Sequence, residues 1–295
     1  MNHIVHTHIT NPLRIAATLL ASSLFALGAC SNLLTAASMT SAPGELSKER
    51  IAEIVASPDR SAADRANDLR RKPEQMLAFI GIRPGMTALD LSAAGGYTTE
   101  LLARAVGPGG RVFGQSAPHP AEAAPQPRIE AEGGAAASTS PRRLPSPQAL
   151  AERAKNPAVA NIVAVVRKFE DPVPPEVANG GLDLVTLMFN YHDLGHMGVD
   201  RAQMNRAVFA ALKPGGMYVI ADHAGRPGTG ISESGTLHRI EESFLRKEVE
   251  AAGFRLSAEG NFLRNPADPR DRNTPEPPQP KDEFVLKFVK PLDNR

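Results

Sequence analysis

Apolar residues recur along this 295-residue chain at two spacings that alternate. Between residues 46 and 80 they stand three and four positions apart, which predicts helices ahead of the first strand. From residue 87 onward, short apolar runs typical of buried strands alternate with amphipathic stretches typical of helices. Glycine and proline clusters, such as GPGG at 107–110, end the helical stretches. This alternation predicts an α/β fold whose parallel sheet carries helices on both faces.

The last two predicted strands, FRLSAEG and EFVLKFVK, differ from the others because no helical pattern separates them. Strands that are joined by a loop pair most simply as antiparallel neighbours. We therefore predict seven strands, mostly parallel with one antiparallel strand, and a helical extension at the N-terminus.

Two stretches interrupt the pattern, one near 116–147 and one near 264–282. Both are rich in proline and polar or small residues and contain almost no large apolar side chains. Such segments cannot bury enough apolar surface to offset the entropy lost on ordering. We predict that both are disordered insertions in a domain that covers 47–295.

The N-terminus has the pattern of an export signal. Its apolar run IAATLLASSLFAL is too short to span a bilayer comfortably and has the length of a signal-peptide core. The run ends in LGAC, which resembles the lipobox of bacterial lipoproteins, and Cys30 is the only cysteine, so it forms no internal disulfide. We predict a lipoprotein-type signal peptide at 1–29, a linker at 30–46, and an exported, periplasmic lipoprotein whose lipidated Cys30 anchors it to a bacterial membrane. The alternative is an ordinary secretory signal that is cleaved nearby.

Charge and aromatic content limit the possible partners. Lysine plus arginine (33) nearly balances aspartate plus glutamate (32), and tryptophan is absent. A balanced charge gives no field that would favour nucleic acid or an anionic membrane surface. We expect a small-molecule substrate, no nucleic acid, and membrane contact only through the lipid anchor. The pattern does not indicate an oligomeric state.

The stretch LDLSAAGGYTTE carries a candidate binding turn. Asp90 lies near the end of a predicted buried strand, and five small residues separate that strand from the next helix. Small side chains at such a turn let a ligand reach the main chain at a helix N-terminus. The alternative is that the glycines serve packing alone, as they do at many strand-to-helix turns.

The element order and four strings together resemble class I S-adenosylmethionine (SAM)-dependent methyltransferases: LDLSAAGGYTTELLARAVGPGG, LDLVTLMFNYHDLGH, LKPGGMYVIADHAG and EAAGF. The chain is most similar to a bacterial group of predicted, often exported methyltransferases that carry an Asn-Tyr-His-Asp stretch. The resemblance covers 47–291 without the two insertions. It implies a Rossmann-like fold, SAM as cofactor and methyl transfer as the reaction.

The resemblance also implies roles for single residues. The turn after Asp90 would hold the methionine part of the cofactor, although Ser92 and Ala94 stand where the family usually has its first two glycines. Gln115 stands where the family usually has an acid that binds the ribose. Glu170 or Asp171 would lie near the adenine, and Asn190 and Tyr191 would border the sulfonium. The candidate cofactor-binding residues are Asp90, Ser92, Ala94, Gly95, Gly96, Gln115, Glu170, Asp171, Asn190 and Tyr191.

Ionisable residues follow two predicted strands at their carboxyl ends, where ligands bind in open α/β sheets. The candidate catalytic residues are His192, Asp193, Asp222 and His223. A histidine beside a carboxylate suits proton abstraction near neutral pH. Our hypothesis is that His192, oriented by Asp193 or Asp222, is the general base and that His223 contacts the methyl acceptor. Two alternatives remain. One is a metal site that also uses His196, although we predict that no metal binds. The other is a purely structural role, in which these side chains cap helices.

Two functions follow from these features. The first is SAM-dependent methyl transfer to a small or medium acceptor, with the His/Asp cluster as proton acceptor. The second is an exported lipoprotein that keeps the fold but binds another ligand or a metal without methyl transfer. The export signal favours the second, because SAM is made in the cytoplasm.

In the predicted N-terminal extension, we interpret Arg65, Asp68 and Arg71 as a solvated helix face, with a cover over the cofactor as the alternative.

Overall fold

The computed structural model describes residues 44–118, 144–275 and 279–292. The predicted signal peptide, Cys30 and almost all of the linker lie outside the described residues, as does most of the first insertion. Within the described residues, no helix combines the length and the apolar character that crossing a membrane requires.

Three helices precede the sheet: α1 (Lys48–Ala56), α2 (Ala62–Arg71) and α3 (Pro73–Ile80). Ser47 and Ser61 cap α1 and α2, since each side chain accepts a hydrogen bond from a main-chain N–H in the first turn. Pro73 begins α3, where the missing N–H of proline costs nothing. The predicted helical extension is therefore present.

The sheet has seven strands, as the alternating pattern predicts. Its spatial order is β3-β2-β1-β4-β5-β7-β6, and every pair is parallel except the two pairs that involve β7. The one reversed strand therefore lies between β5 and β6, which confirms the predicted fold class. The strands are β1 (Thr87–Leu91), β2 (Arg111–Ser116), β3 (Ile162–Val166), β4 (Leu182–Met188), β5 (Leu212–His223), β6 (Arg255–Gly260) and β7 (Glu283–Val289).

Helices cover both faces of the sheet, and each face has its own apolar core. Alternation along β4 divides its side chains between them: Leu184 packs in one core, whereas Val185 and Leu187 pack in the other. The first core includes residues of α1, α3 and α4, and the second includes residues of α7 and α8. The remaining helices are α4 (Tyr97–Val106), α5 (Ser146–Arg153), α6 (Asp193–His196), α7 (Arg201–Ala211) and α8 (Glu242–Ala251).

The strand order reverses at β1, which has β2 on one side and β4 on the other. Ligands of open α/β sheets bind at such a switch point, outside the carboxyl ends of the strands. The turn after β1 and the polar residues after β4 and β5 all lie at this edge.

The prediction that 264–282 is disordered is wrong for the residues that the structure describes there. Asp268 is buried and accepts two hydrogen bonds from the guanidinium of Arg239, at 2.8 and 3.1 Å. It also accepts main-chain hydrogen bonds from Arg270 and Asp282. Buried polar bonds order this segment, and a composition argument that counts only apolar side chains misses them.

Candidate functional site

The turn between β1 and α4 has a strained and accessible main chain. Ser92, Ala94 and Gly96 have φ of 54°, 47° and 83°, all in the left-handed region that favours glycine. Ala94 and Gly95 are exposed, and a Cβ added to Gly95 would meet no atom within 4 Å. The turn therefore presents bare main chain at the switch point, as its short side chains predict.

Gly96 serves packing instead. A Cβ at this position would lie 2.8 Å from Leu150 and 2.9 Å from Arg153 of α5, closer than real contacts allow. The guanidinium of Arg153 forms an ion pair with Asp64 of α2 and donates a hydrogen bond to the Gly95 carbonyl. Packing therefore requires glycine at position 96, whereas position 95 has open space beside it.

Asp90 lies beneath the turn and is only 2% exposed. Its carboxylate accepts hydrogen bonds from the hydroxyls of Thr99, at 2.6 Å, and Thr186, at 2.7 Å. Burial raises the pKa of Asp90 to about 6, although the two hydroxyls and the nearby charge of Arg71 oppose the rise. Asp90 therefore ties β1 to α4 and β4 and places a costly charge below the main chain of the turn.

Gln115 has a different role from the predicted one. Its side chain is fully buried; the Oε1 atom accepts a hydrogen bond from the Ser92 N–H at 3.0 Å, and the Nε2 atom donates one to the Arg167 carbonyl at 2.7 Å. The amide thus joins the turn after β1 to the end of β3. It does not face outward toward a ribose.

Arg71 is the residue that the sequence interpretation placed wrongly. Its guanidinium lies 4.0 Å from the ring centroid of Phe189 and forms no hydrogen bond or ion pair with any residue that the structure describes. Burial, followed by the charge of Arg70, lowers the pKa of Arg71 to about 10. A desolvated cation without a bonded anion is a recognition element for a carboxylate or phosphate. Arg71 therefore belongs to the site and not to a solvated helix face.

Asp68 and Tyr97 connect α2 to the turn. Asp68 accepts two hydrogen bonds from Arg60, both at 2.8 Å, and one from the Tyr97 hydroxyl at 2.7 Å. Arg71, Tyr97 and Phe189 line a cavity of about 20 Å³, which has room for about one water molecule. Helix α2 therefore closes over one side of the switch point.

The segment after β4 bends sharply at Phe189, which has a φ of 60°. Beyond the bend, the Asn190 side chain donates a hydrogen bond to Asp193 Oδ2 at 2.9 Å. Tyr191 is fully buried in the core that includes α7 and α8; its hydroxyl donates to Glu248 and accepts from Asn205, both at 2.9 Å. The structure therefore corrects the prediction that Tyr191 borders the sulfonium, while Asn190 remains at the site.

His192 lies between two carboxylates. Its Nδ1 atom is 2.6 Å from Asp222 Oδ1, and its Nε2 atom is 3.1 Å from Asp193 Oδ1. Burial favours the neutral ring, but the charge of Asp222 and the hydrogen bonds to both carboxylates outweigh it and raise the pKa of His192 to about 10. In this arrangement each ring nitrogen faces a carboxylate oxygen, so neither is open to a methyl acceptor, and the geometry does not support the predicted role of His192 as general base.

Asp193 is the centre of a larger cluster. Its Oδ1 atom lies 2.8 Å from His238 Nδ1 and 3.8 Å from His196 Nδ1, in addition to the contact with His192. Burial favours the neutral acid, but the hydrogen bond from His192, followed by its charge, lowers the pKa of Asp193 to about 2. His238, with a φ of 51°, is half-buried and joins the cluster from the chain segment before α8. The candidate set omits His238 because nothing in its own neighbourhood indicates this long-range contact.

The other predicted residues lie nearby or at the surface. His223 is buried, with Nδ1 3.1 Å from Glu283 Oε1 and its ring centroid 5.2 Å from that of His192. Glu170 accepts a 3.4 Å hydrogen bond from the main chain of Asp200, at the N-terminus of α7, and Asp171 is exposed and paired with Arg167.

No protein-family model matches the chain, and no curated protein matches its sequence. Among solved structures, it is similar to a SAM-dependent methyltransferase from Aquifex aeolicus, with 16% identity and a TM-score of 0.52, over 83% of this chain and 100% of that chain. It is similar to a putative methyltransferase from Haloferax volcanii in complex with the activator Trm112, with 18% identity and a TM-score of 0.51, over 83% and 99%. A putative sarcosine dimethylglycine methyltransferase from Galdieria sulphuraria has 15% identity and a TM-score of 0.50, over 83% and 98%. The chain thus has the fold of the SAM-dependent methyltransferases.

Proposed function

We propose that the protein transfers a methyl group from SAM to a small or medium acceptor. One observation carries the proposal: at the switch point of a methyltransferase fold, the exposed main chain at Ala94 and Gly95 lies on the same edge as Arg71, a partly buried guanidinium that bonds to no anion among the described residues. A purely structural turn needs neither an exposed strained main chain nor a guanidinium without an anion.

The residues fit the two charges at the amino-acid end of SAM. Arg71 binds the carboxylate, which supplies the anion that the guanidinium lacks. The Asp90 carboxylate, beneath the turn, favours the ammonium group, and the exposed main chain at Ala94 and Gly95 admits the methionine part. Asn190 borders the sulfonium, and Glu170 or Asp171 stays the prediction for the adenine. SAM supplies a methyl group on a positively charged sulfur, which is a good leaving group.

The acceptor side of the site is the Asp193 cluster. Catalysis is mainly alignment of the acceptor with the methyl group. We assign proton removal to the Asp193–His238 pair instead of His192, because His238 is half-exposed and its Nδ1 atom is held by Asp193 at 2.8 Å. That contact leaves Nε2 of His238 to take the proton of a hydroxyl or thiol.

Access to the cofactor site requires movement of the cover formed by α2 and Tyr97. The cavity of about 20 Å³ lined by Arg71, Tyr97 and Phe189 has room for about one water molecule and not for the carboxylate end of SAM. The contacts to break include the Tyr97 hydroxyl bond to Asp68, the stacking of Arg71 on Phe189 and the ion pair between Asp64 of α2 and Arg153. We therefore infer that SAM binding separates α2 from the turn.

Calorimetric titration of the purified protein with SAM and with S-adenosylhomocysteine tests the proposal. We expect dissociation constants in the micromolar range, which correspond to a binding free energy on the order of −8 kcal/mol. Arg71→Met should weaken the binding of both compounds by about 10-fold to 100-fold, since a charge-assisted hydrogen bond contributes roughly 1.5–3 kcal/mol. Arg65→Met, on the exposed surface of the same helix, is the matched control and should bind like the wild type. Binding of neither compound below millimolar concentration would favour the alternative, a protein that keeps the fold but uses another ligand.

A further inference from the structure

Three side chains outside the proposed cofactor contacts converge on one point. His192 Nε2 and His238 Nδ1 lie 3.1 and 2.8 Å from Asp193 Oδ1, and the three candidate ligand atoms lie within 4.8 Å of one another. We propose that these residues form a binding site for a divalent transition-metal ion, with Zn²⁺ as the best match to the ligand set. Two imidazoles and a carboxylate with an open fourth position are the ligand set of many catalytic zinc sites.

The spacing is close to the one a metal requires. Tetrahedral zinc with bonds of about 2.0–2.1 Å places its ligand atoms about 3.3 Å apart. The two contacts of Asp193 Oδ1 differ from that value by only a few tenths of an ångström. A bound ion would take the place of the hydrogen bonds that now join these three groups, and the third pair of ligand atoms, which lies within 4.8 Å, would have to close to a similar spacing.

The surrounding residues already orient the ligands as in known metal sites. Metal-binding histidines usually donate their second ring N–H to a carboxylate, and His192 Nδ1 has this partner in Asp222, at 2.6 Å and fully buried. The second oxygen of Asp193 accepts from Asn190. The two carboxylates of Asp193 and Asp222 balance the double positive charge of the ion.

His196 limits the fourth position. Its Nδ1 atom is 3.8 Å from Asp193 Oδ1 but lies 3.0 Å from the Ser234 hydroxyl, which holds it back from the cluster. The fourth position is therefore left to water or to a substrate atom. If methyl transfer is the reaction, the fourth position binds an anionic acceptor such as a thiolate, whose proton is lost to solvent when the thiol binds the metal. His238 is then a metal ligand, and the role of proton acceptor assigned to it above applies to the metal-free protein. This consequence rests on the proposed function, whereas the metal site does not.

The test uses the full chain without added histidines, in which His3, His6 and His8 are replaced by alanine because they could bind metal independently. This reference protein is stripped with a chelator and titrated with Zn²⁺ by calorimetry and with Co²⁺ by visible absorption. We expect one ion per chain with a dissociation constant of about 1 µM or tighter. The cobalt form should show the intense visible bands of a tetrahedral ion.

Variants separate this site from adventitious binding. His238→Gln, at a half-buried position, and Asp193→Asn should each weaken zinc binding at least about 100-fold and abolish the cobalt bands, because each removes a direct ligand. Glu152→Gln, at an exposed carboxylate paired with Lys155, is the control and should bind like the reference protein. Equal zinc affinity in His238→Gln, or no binding below millimolar zinc in the reference protein, would overturn the proposal. Titration with SAM in the metal-free protein reports on the proposed function separately.

Discussion

Replacing Asp90 by asparagine should stabilise the protein near neutral pH while weakening cofactor binding. Asp90 is buried, and its pKa rises from 3.8 to about 6, chiefly because burial penalises the charged form. Asparagine has the same shape and no charge. Thr99 and Thr186 can rotate their hydroxyls to accept from the new amide as well as donate to it.

The magnitude follows from linkage between protonation and folding. Because the folded-state pKa lies above the unfolded value, the folded protein binds more protons between these values, and its stability falls as pH rises from about 4 to 6. One pKa unit corresponds to about 1.4 kcal/mol, so the full cost above pH 6 is roughly 3 kcal/mol. Asp90→Asn removes this cost, and we expect a gain of about 1–3 kcal/mol at pH 7 and almost none at pH 4.

Urea unfolding of both proteins from pH 4 to 7.5 gives the difference in unfolding free energy at each pH. The two proteins share all their other titratable groups, so the contributions of those groups cancel in the difference between the two unfolding free energies. Asp183→Asn is the control, since Asp183 pairs with a half-exposed Lys213 at 2.6 Å and should change stability by less than about 1 kcal/mol.

Cofactor binding is the second measurement on the same variant. Loss of the negative charge beneath the turn should weaken SAM binding by about 10-fold, or 1.4 kcal/mol.

A pH-independent difference in stability, or a variant less stable than the wild type at pH 7, would refute the account of Asp90 as a costly buried charge.

The remaining predictions concern the turn, its cover and the N-terminus. Ala94→Gly should raise the unfolding free energy by about 1 kcal/mol, because glycine adopts a φ of 47° without strain; an unchanged or lower value in urea unfolding contradicts this. Tyr97→Phe removes the bond to Asp68 and should speed SAM association severalfold in stopped-flow measurements, and an unchanged rate would mean that this contact does not control access. We propose that Cys30 is lipidated and anchors the exported protein: the wild type should fractionate with membranes and Cys30→Ser with the soluble fraction, whereas a soluble wild type would favour an ordinary secretory signal.

The fold could be predicted from local patterns because each of its elements has a local signal. Apolar alternation identifies the strands, glycine and proline mark the ends of helices, and the loop between the last two strands predicts the reversed strand β7. The exposed turn after Asp90 and the cluster around Asp193 also follow from local sequence, because the carboxyl ends of parallel strands share one edge of the sheet.

The prediction of residue roles from the sequence failed where a long-range contact decides the role. Tyr191 would face the site if its segment continued as an extended strand, but the left-handed Phe189 rotates the following residues toward α7 and α8. Gln115 is occupied by two main-chain groups that lie 23 and 52 residues away in sequence. Arg71 sits in a polar helix whose own pattern resembles a solvated surface, and its burial follows only from the packing of α2 against the turn and Phe189.

The distribution of strain argues for a binding site more strongly than any single motif. Among the described residues, six other than glycine have a positive φ, and four of them border the switch point: Ser92, Ala94, Phe189 and His238. Each such residue costs on the order of 1–3 kcal/mol, and the buried charge of Asp90 adds a similar amount. Strain from helix packing alone would concentrate where helices meet, as it does at Lys72 between α2 and α3. Its concentration around the switch point means that the surrounding packing holds this main chain in a conformation that folding stability alone does not favour. Such strain is typical of binding sites, where the binding of a ligand offsets its cost.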